Sequence, residues 1–408
     1  MRIKLHKSDI NTQSKITITG SKSESNRLLL LQALYPELEI ANVSNSDDSK
    51  VMAKALSSTS NLIDIHHAGT AMRFLTAYFA MQNGREVVLT GSDRMKERPI
   101  EILVDALTQL GANISYTEQH GCPPLHIKGA NLVKDKVTLK ANVSSQYISA
   151  LLLIASRLEN GLELSLEGKI TSVPYINMTL DLLRQVGIET RFKDQVITVQ
   201  PKHSKLSSRT LVVESDWSSA SYFYSIIALS PIGTQITLSA YRKTSLQGDS
   251  VLAELYQAFG VQTSFETDSI TLKKIESHQS QHLQFQLNNS PDIAQTIAVT
   301  CLGLGVNCVL DGLHTLKIKE TDRLVALKNE LEKLGATVDI TEDNLKLHAT
   351  SNIENEVSIA TYNDHRMAMA FAPLALKTTL FIEDHMVVSK SYPTFWEDLE
   401  SIGFKFSK

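Results

Sequence analysis

Cysteine is scarce in this chain of 408 residues: Cys122, Cys301 and Cys308 are the only three, in apolar or Pro-flanked settings. That odd, scattered set argues against a disulfide framework and predicts core thiols in a reducing compartment. Aromatic residues make up only 6% of the chain, so no platform for stacking bases is evident. Charge of one sign is lacking too: 40 Lys plus Arg against 44 Asp plus Glu give a formal charge of -4, which offers no overall field for a polyanion. Nucleic acid is therefore not an expected partner. Long apolar runs are absent, since the stretch from Ala368 to Leu376 falls far below the roughly 18 residues of a membrane span. The opening MRIKLHKSDINTQ has no apolar leader core, so a soluble, cytoplasmic chain without a membrane partner is expected. No G-x-x-x-x-G-K-[ST] loop or convincing dinucleotide fingerprint occurs, which removes support for ATP or NAD dependence.

What the chain does contain is a repeat. The segments LVDALTQLGANI, TLDLLRQVGIET, VLAELYQAFGVQ and LKNELEKLGATV each pair helical apolar spacing with a C-terminal Gly, at Gly111, Gly187, Gly260 and Gly335, with intervals of 76, 73 and 75 residues. A weaker copy ends at Gly403, and VMAKALSS resembles the same helix without its Gly. A second helix type recurs in step. Each copy opens on a polar or Gly turn, then runs almost wholly apolar: SKSESNR, GTAMR, SSQY, SSASY, SPDIA and NDHRM. Alternating stretches such as EVVLTG, QVITVQP and LKLHAT read as strands. The pattern predicts six copies of a strand and helix unit, grouped three and three into two α/β domains, 21–213 and 1–20 with 214–408. The opening strand RIKLHK is expected to complete the last copy.

Purely structural helices do not need polar starts. Helix N-termini present unpaired N–H groups and a positive dipole end, so buried helices with converging starts make an anion site. Cations gather in the same segments: Lys22, Arg27, Arg73, Arg94, Lys96, Arg98, Lys317, Lys319, Arg323, Arg366 and Lys390. Planar Arg forks favour small substrates bearing phosphate and carboxylate. Among the acids, Glu320 and Asp322 of KIKETDR are open to two readings, an intrahelical ion pair or a positioned proton donor. Asp292, after Pro291, reads first as a helix-start acid. His66 and His67 lack metal-ligand spacing, and no metal site is expected there.

The strings GSKSESNR, AGTAMRFL, DRMKERPI, SSQYISALL, PYINMTLDLL, SSASYF, QGD, KETDRL and YNDHRMAMAFAPLAL, in this order from Gly20 onward, resemble the 5-enolpyruvylshikimate-3-phosphate synthase family of enolpyruvyl transferases. The resemblance implies a two-domain inside-out α/β barrel with its active site in the interdomain cleft. It implies transfer of the enolpyruvyl group of phosphoenolpyruvate to the 5-hydroxyl of shikimate 3-phosphate, by addition and elimination, without a metal or organic cofactor. Carried over by motif, Lys22, Ser23, Arg27, Ser144, Ser145, Gln146, Ser172, Tyr175, Asp292, Thr315 and Lys319 would hold shikimate 3-phosphate. Lys22, Gly69, Arg98, Gln146, Arg323, Arg366 and Lys390 would hold phosphoenolpyruvate, and Glu320, Asp292 and Lys22 would move protons. Gly69, with no side chain beside that pocket, implies inhibition by glyphosate. The chain departs from the family pattern at His67, where Asn is usual, at Thr315, often Asn, and at Phe74, often Pro.

Three other readings are weaker. The sister transferase acting on a UDP-amino sugar would place Asn after the first lysine and a cysteine on a mobile loop; here Ser23 follows Lys22, and Cys122 lies outside DRMKERPI. A noncatalytic metabolite-binding protein would be free to lose Glu320, Asp292 or Lys22, and all three are present. An RNA-end enzyme would need a broad basic surface and His365 as nucleophile. Nothing in the sequence calls for a partner chain, so a monomer is expected.

Overall fold

The computed structural model describes residues 1–140, 144–168, 170, 172–278 and 280–407. It divides into two compact units, Gly20–Val213 and Met1–Thr19 with Glu214–Lys408. Five four-stranded sheets among the described residues share one wiring. In the Gly20–Val213 unit, Leu62–Asp64 runs parallel to Glu86–Thr90, which pairs antiparallel with Leu125–Lys128, leaving Asn113–Tyr116 at the edge. Lys136–Lys140, Leu162–Glu167, Val196–Val199 and Thr190–Lys193 repeat that order. A reduced copy keeps only the parallel pair Leu38–Ala41 and Arg209–Val212.

The other unit holds three full copies. Gln13–Ile16 lies parallel to Gln235–Ser239, followed by Ser269–Lys274 and Val261–Phe265. His282–Gln286 lies parallel to Asn307–Asp311, followed by Asn344–His348 and Thr337–Ile340. In the last copy Val357–Ile359 lies parallel to Leu380–Ile382, and Ile3–His6 pairs with that strand on one side and Lys405–Ser407 on the other. Parallel neighbours need a crossover, and an apolar helix supplies it.

Those crossover helices form the cores because both their faces are covered. Every residue of Ser145–Ala155 except Gln146 is buried, as is every residue of Trp217–Leu229 except Ser218. Gly69–Ala80, Ala294–Leu304 and His365–Phe371 are buried nearly throughout. The last of these is shorter than its apolar run suggests. Pro373 removes an N–H and clashes with the preceding turn, and Ala372–Leu376 continues as a 3-10 helix. VLAELYQAFG also departs from a regular helix: only Leu252–Leu255 is α-helical, between 3-10 turns at Gly248–Val251 and Tyr256–Phe259. There Tyr256 packs on Tyr224 and Phe259, with ring centroids 5.1 and 4.9 Å apart, and the tighter turns keep both terminal aromatics inside.

Gly260 follows that segment at φ 72°, and a Cβ there would lie 2.0 Å from the carbonyl oxygen of Glu276. Left-handed strain on a β-carbon and a clash with main chain act together, so Gly260→Ala should destabilise by about 2 kcal/mol or more. Chemical denaturation measures this. A wild-type midpoint would mean that the main chain at Glu276 yields freely.

Candidate active site

In the Gly20–Val213 unit the polar openings of four helices come together. Lys22 starts the helix Lys22–Leu34, and its Nζ lies 3.3 Å from Oδ2 of Asp48. The other oxygen of Asp48 is 3.7 Å from Nε2 of His67, just ahead of the Gly69 helix. Gly69 is needed for space: a Cβ there would stand 2.6 Å from a terminal nitrogen of Arg98. Gln146 Nε2 donates to Thr70 Oγ1 at 3.1 Å, joining the starts of the Ser145 and Gly69 helices. Ser144 caps its helix by accepting from the Gln146 N–H, and Ser172, at φ 53°, precedes Val173–Gln185, which carries Tyr175. Ser145 is buried in the first turn of its helix.

Arg27 ties three of these helices together from within. Its guanidinium donates to the Ser23 carbonyl (2.7 Å), Thr179 Oγ1 (2.8 Å), Ser149 Oγ (3.0 Å) and the Tyr175 carbonyl (3.3 Å). Burial pulls its pKa down while Tyr175 and Glu24 pull the other way, and the group stays charged at neutral pH. Arg73 is likewise buried, donating to the carbonyls of Gly69 (3.3 Å) and Pro99 (3.0 Å).

The other unit assembles a denser cluster on three helix starts. Asp292 sits on the turn Pro291–Ile293 that leads into Ala294–Leu304, and Arg323 opens Arg323–Lys333. Arg366 lies in the first turn of His365–Phe371. Arg323, 2% exposed, donates Nη1 to Asp292 Oδ1 (2.8 Å), Nη2 to Glu320 Oε2 (2.8 Å) and Nε to Asp364 Oδ2 (2.6 Å). Arg366 reaches Asp292 Oδ2 at 3.2 Å and donates to the Asp292 carbonyl at 3.1 Å, while Lys319 Nζ stands 3.5 Å from Asp292 Oδ1. Lys390 Nζ donates to the Asn363 carbonyl at 2.6 Å.

Electrostatics follow the contacts. Burial pushes the Asp292 carboxyl up, but Arg366, Lys319 and Arg323 outweigh it and hold the group well below the usual carboxylate range. Burial lowers Arg323, yet Asp364, Glu320 and Asp292 carry it above its ordinary value. Asp249, which accepts a hydrogen bond from Ser218, goes the opposite way: burial and then Asp292 push it up to about 7.

The geometry separates readings that residue types leave open. Asp322 is an N-cap, accepting from Leu324 N at 3.1 Å and Val325 N at 3.2 Å, whereas Glu320 faces Arg323. Arg94, Lys96 and Lys317 pair with Glu97, Glu118 and Glu342 on the surface and leave the cationic set. Thr315 Oγ1 is buried without a hydrogen-bond partner. Asp48, Asp249 and Asp364 escaped the reading of the sequence as site residues. Their N-cap or turn settings were the visible signal, and their partners lie far away in sequence.

A sequence model of the EPSP synthase (3-phosphoshikimate 1-carboxyvinyltransferase) family matches residues 57–399. A 3-phosphoshikimate 1-carboxyvinyltransferase from Bacteroides fragilis is 47% identical over 397 residues, covering 96% of each chain. The enzyme of that name from Haemophilus influenzae is 36% identical, covering 96% of this chain and 97% of its own. Among solved structures, EPSP synthase from Acinetobacter baumannii superposes with a TM-score of 0.80 at 20% identity over the whole of both chains. An enolpyruvyl transferase from Streptomyces tendae does so at 0.74 and 14% identity, over 100% of this chain and 98% of that one. These structural likenesses establish the two-domain enolpyruvyl transferase fold. Taken with the family match and the sequence identities, they leave one conclusion: the chain belongs to the EPSP synthase family.

Proposed function

We propose that this chain transfers the enolpyruvyl group of phosphoenolpyruvate to the 5-hydroxyl of shikimate 3-phosphate and releases phosphate, the reaction that leads toward chorismate and the aromatic amino acids. The observation that carries the reading is the cluster around Arg323, where Asp292 and Glu320 share cations at converging helix starts. Such a site binds phosphate and carboxylate groups and keeps proton carriers within reach of them. No helix among the described residues is long and apolar enough to cross a membrane. We further propose a monomer free in the cytoplasm, acting on small molecules alone.

Lys22, Ser23, Arg27, Ser144, Ser145, Gln146, Ser172, Tyr175, Asp292, Thr315 and Lys319 are assigned to shikimate 3-phosphate. The polar groups take its phosphate and hydroxyls, and Tyr175 flanks its ring. Lys22, Gly69, Arg98, Gln146, Arg323, Arg366 and Lys390 are assigned to phosphoenolpyruvate. Asp292, held ionised, accepts the 5-hydroxyl proton and Lys22 assists that transfer, as the oxygen bonds to C2 and C3 gains a proton from Glu320. The tetrahedral adduct then loses phosphate from C2, the departing oxygen takes up the proton held by Asp292, and the C3 proton returns to Glu320. A substrate carboxylate engaging Arg323 competes with Glu320 for that cation. Cations aimed at the developing charge supply the larger catalytic share.

Phosphate release from phosphoenolpyruvate should require shikimate 3-phosphate; release without it, or none with it, would count against the reading. Glu320→Gln should lower kcat by about 10²–10⁴-fold with little change in the KM for shikimate 3-phosphate, and near-normal turnover would remove Glu320 from proton transfer. In Gly69→Ala the new methyl meets the flexible end of Arg98, so the melting temperature should hold while the KM for phosphoenolpyruvate rises roughly tenfold. An unchanged KM would show that Arg98 shifts without consequence.

Asp249 generates a pH effect. Folding raises its pKa from an ordinary value near 3.8 to about 7, so the folded chain binds this proton more tightly than the unfolded chain. The resulting stability is present at acid pH and fades as pH climbs through that interval. Asp249→Asn should therefore gain stability relative to wild type between pH 5 and pH 8, read from urea unfolding at both. A gain that shrinks with rising pH would contradict the assignment.

A further inference from the structure

Asp364 lies two residues before Arg366, is fully buried, and belongs to none of the motif assignments above. Its Oδ2 accepts from Arg323 Nε at 2.6 Å, and its Oδ1 accepts from the Arg366 main-chain N–H at 2.9 Å and from Arg323 Nη2 at 3.4 Å. One carboxylate thus grips the inner edge of the first cation and caps the helix that carries the second. The chain reaches Asp364 through Tyr362 and Asn363, at φ 53° and 55°, a left-handed pair that non-glycine residues avoid unless their surroundings enforce it. Here the enforcement is visible. Glu330, fully buried on the Arg323 helix, accepts from Tyr362 Oη at 2.6 Å and from Ala360 N at 3.1 Å. Lys390 Nζ holds the Asn363 carbonyl at 2.6 Å. Residues 360–366 are therefore tied to the Arg323 helix at both of its ends.

We propose that Asp364 is a positioning residue for phosphoenolpyruvate: its charge fixes the orientation of the Arg323 fork and registers it against Arg366. This rests on the function proposed above. Three carboxylates compete for one guanidinium. Asp292 and Glu320, with side chains 12% and 22% exposed, draw on the Nη edge of Arg323. Asp364 alone takes the Nε edge and keeps the guanidinium from swinging wholly onto those two carboxylates. Arg366 and His365 also face it, with His365 Nδ1 at 3.7 Å from Asp364 Oδ1.

Asparagine at position 364 keeps helix-capping ability and loses the charge, whereas alanine loses both. If Asp364 were only a cap, Asp364→Asn would behave as wild type and Asp364→Ala would not. Positioning predicts that both variants raise the KM for phosphoenolpyruvate, by about 10- to 100-fold, with the KM for shikimate 3-phosphate near its wild-type value. Asp364→Glu keeps the charge on a longer arm; it should shift the same KM in the same direction, and it keeps the question open to test should the asparagine chain fail to fold. A normal phosphoenolpyruvate KM in the Asn or the Glu variant would overturn the proposal. Calorimetric affinity for phosphoenolpyruvate, measured on the same proteins, separates two failures. Wild type that releases no phosphate would defeat the functional reading, while the effect of Asp364 on binding would still be read.

Discussion

An arginine taken out of water is tolerated only if other groups replace its hydration, and Arg323 is almost entirely out of water. Asp292, Glu320 and Asp364 meet that demand, and Asp292 in turn stays ionised because Arg366, Lys319 and Arg323 outweigh the effect of its burial. The cluster is mutually dependent: removing one member leaves another charge buried and unmatched. That dependence fixes the packing around it, since Asp292, Arg323 and Arg366 can meet only if three helices bring their first turns to one place.

The Gly20–Val213 unit solves a similar problem by different chemistry. Arg27 and Arg73 are buried too, yet their hydrogen-bond partners are carbonyls, hydroxyls and a thioether, with no carboxylate bridged to either among the described residues. Dipoles satisfy the donors without cancelling the charge, so the positive potential persists for an anion to feel. Carboxylates are concentrated in the other unit, where the proposed reaction needs proton carriers. Under the function proposed above, Asp292 and Glu320 as proton carriers belong to the same unit as the anion-holding Arg323 and Arg366.

Much of this was readable in the chain, for local reasons. Ser144, Ser218 and the NDHR turn stand out because a helix that is otherwise buried has no need of a polar first turn unless something is bound there. The repeated glycines mark helix ends because a left-handed residue is cheapest without a β-carbon, as the φ values of Gly111, Gly187, Gly260 and Gly335 illustrate. What resisted reading depends on distant partners. Lys96 and Lys317 carry the same charge and sit in the same kind of segment as Lys22 and Lys319, and only folding places Glu118 and Glu342 against the former pair. Asp364 looks like a helix cap, which it is; its second role exists only because Arg323, 41 positions earlier, folds onto it.

The strand Ile3–His6 lies inside the last sheet, between Leu380–Ile382 and Lys405–Ser407, and Ser8 and Asn11 continue the stitching through Ala375 and Ile402. During synthesis Ile3–His6 therefore waits for its partner strands at 380–382 and 405–407. All strands of the contiguous Gly20–Val213 segment are synthesised before the Glu214 stretch, so the interrupted unit completes second. The same stitching makes the two ends of the chain spatial neighbours, the arrangement under which a protein tolerates being reopened elsewhere and rejoined at its termini.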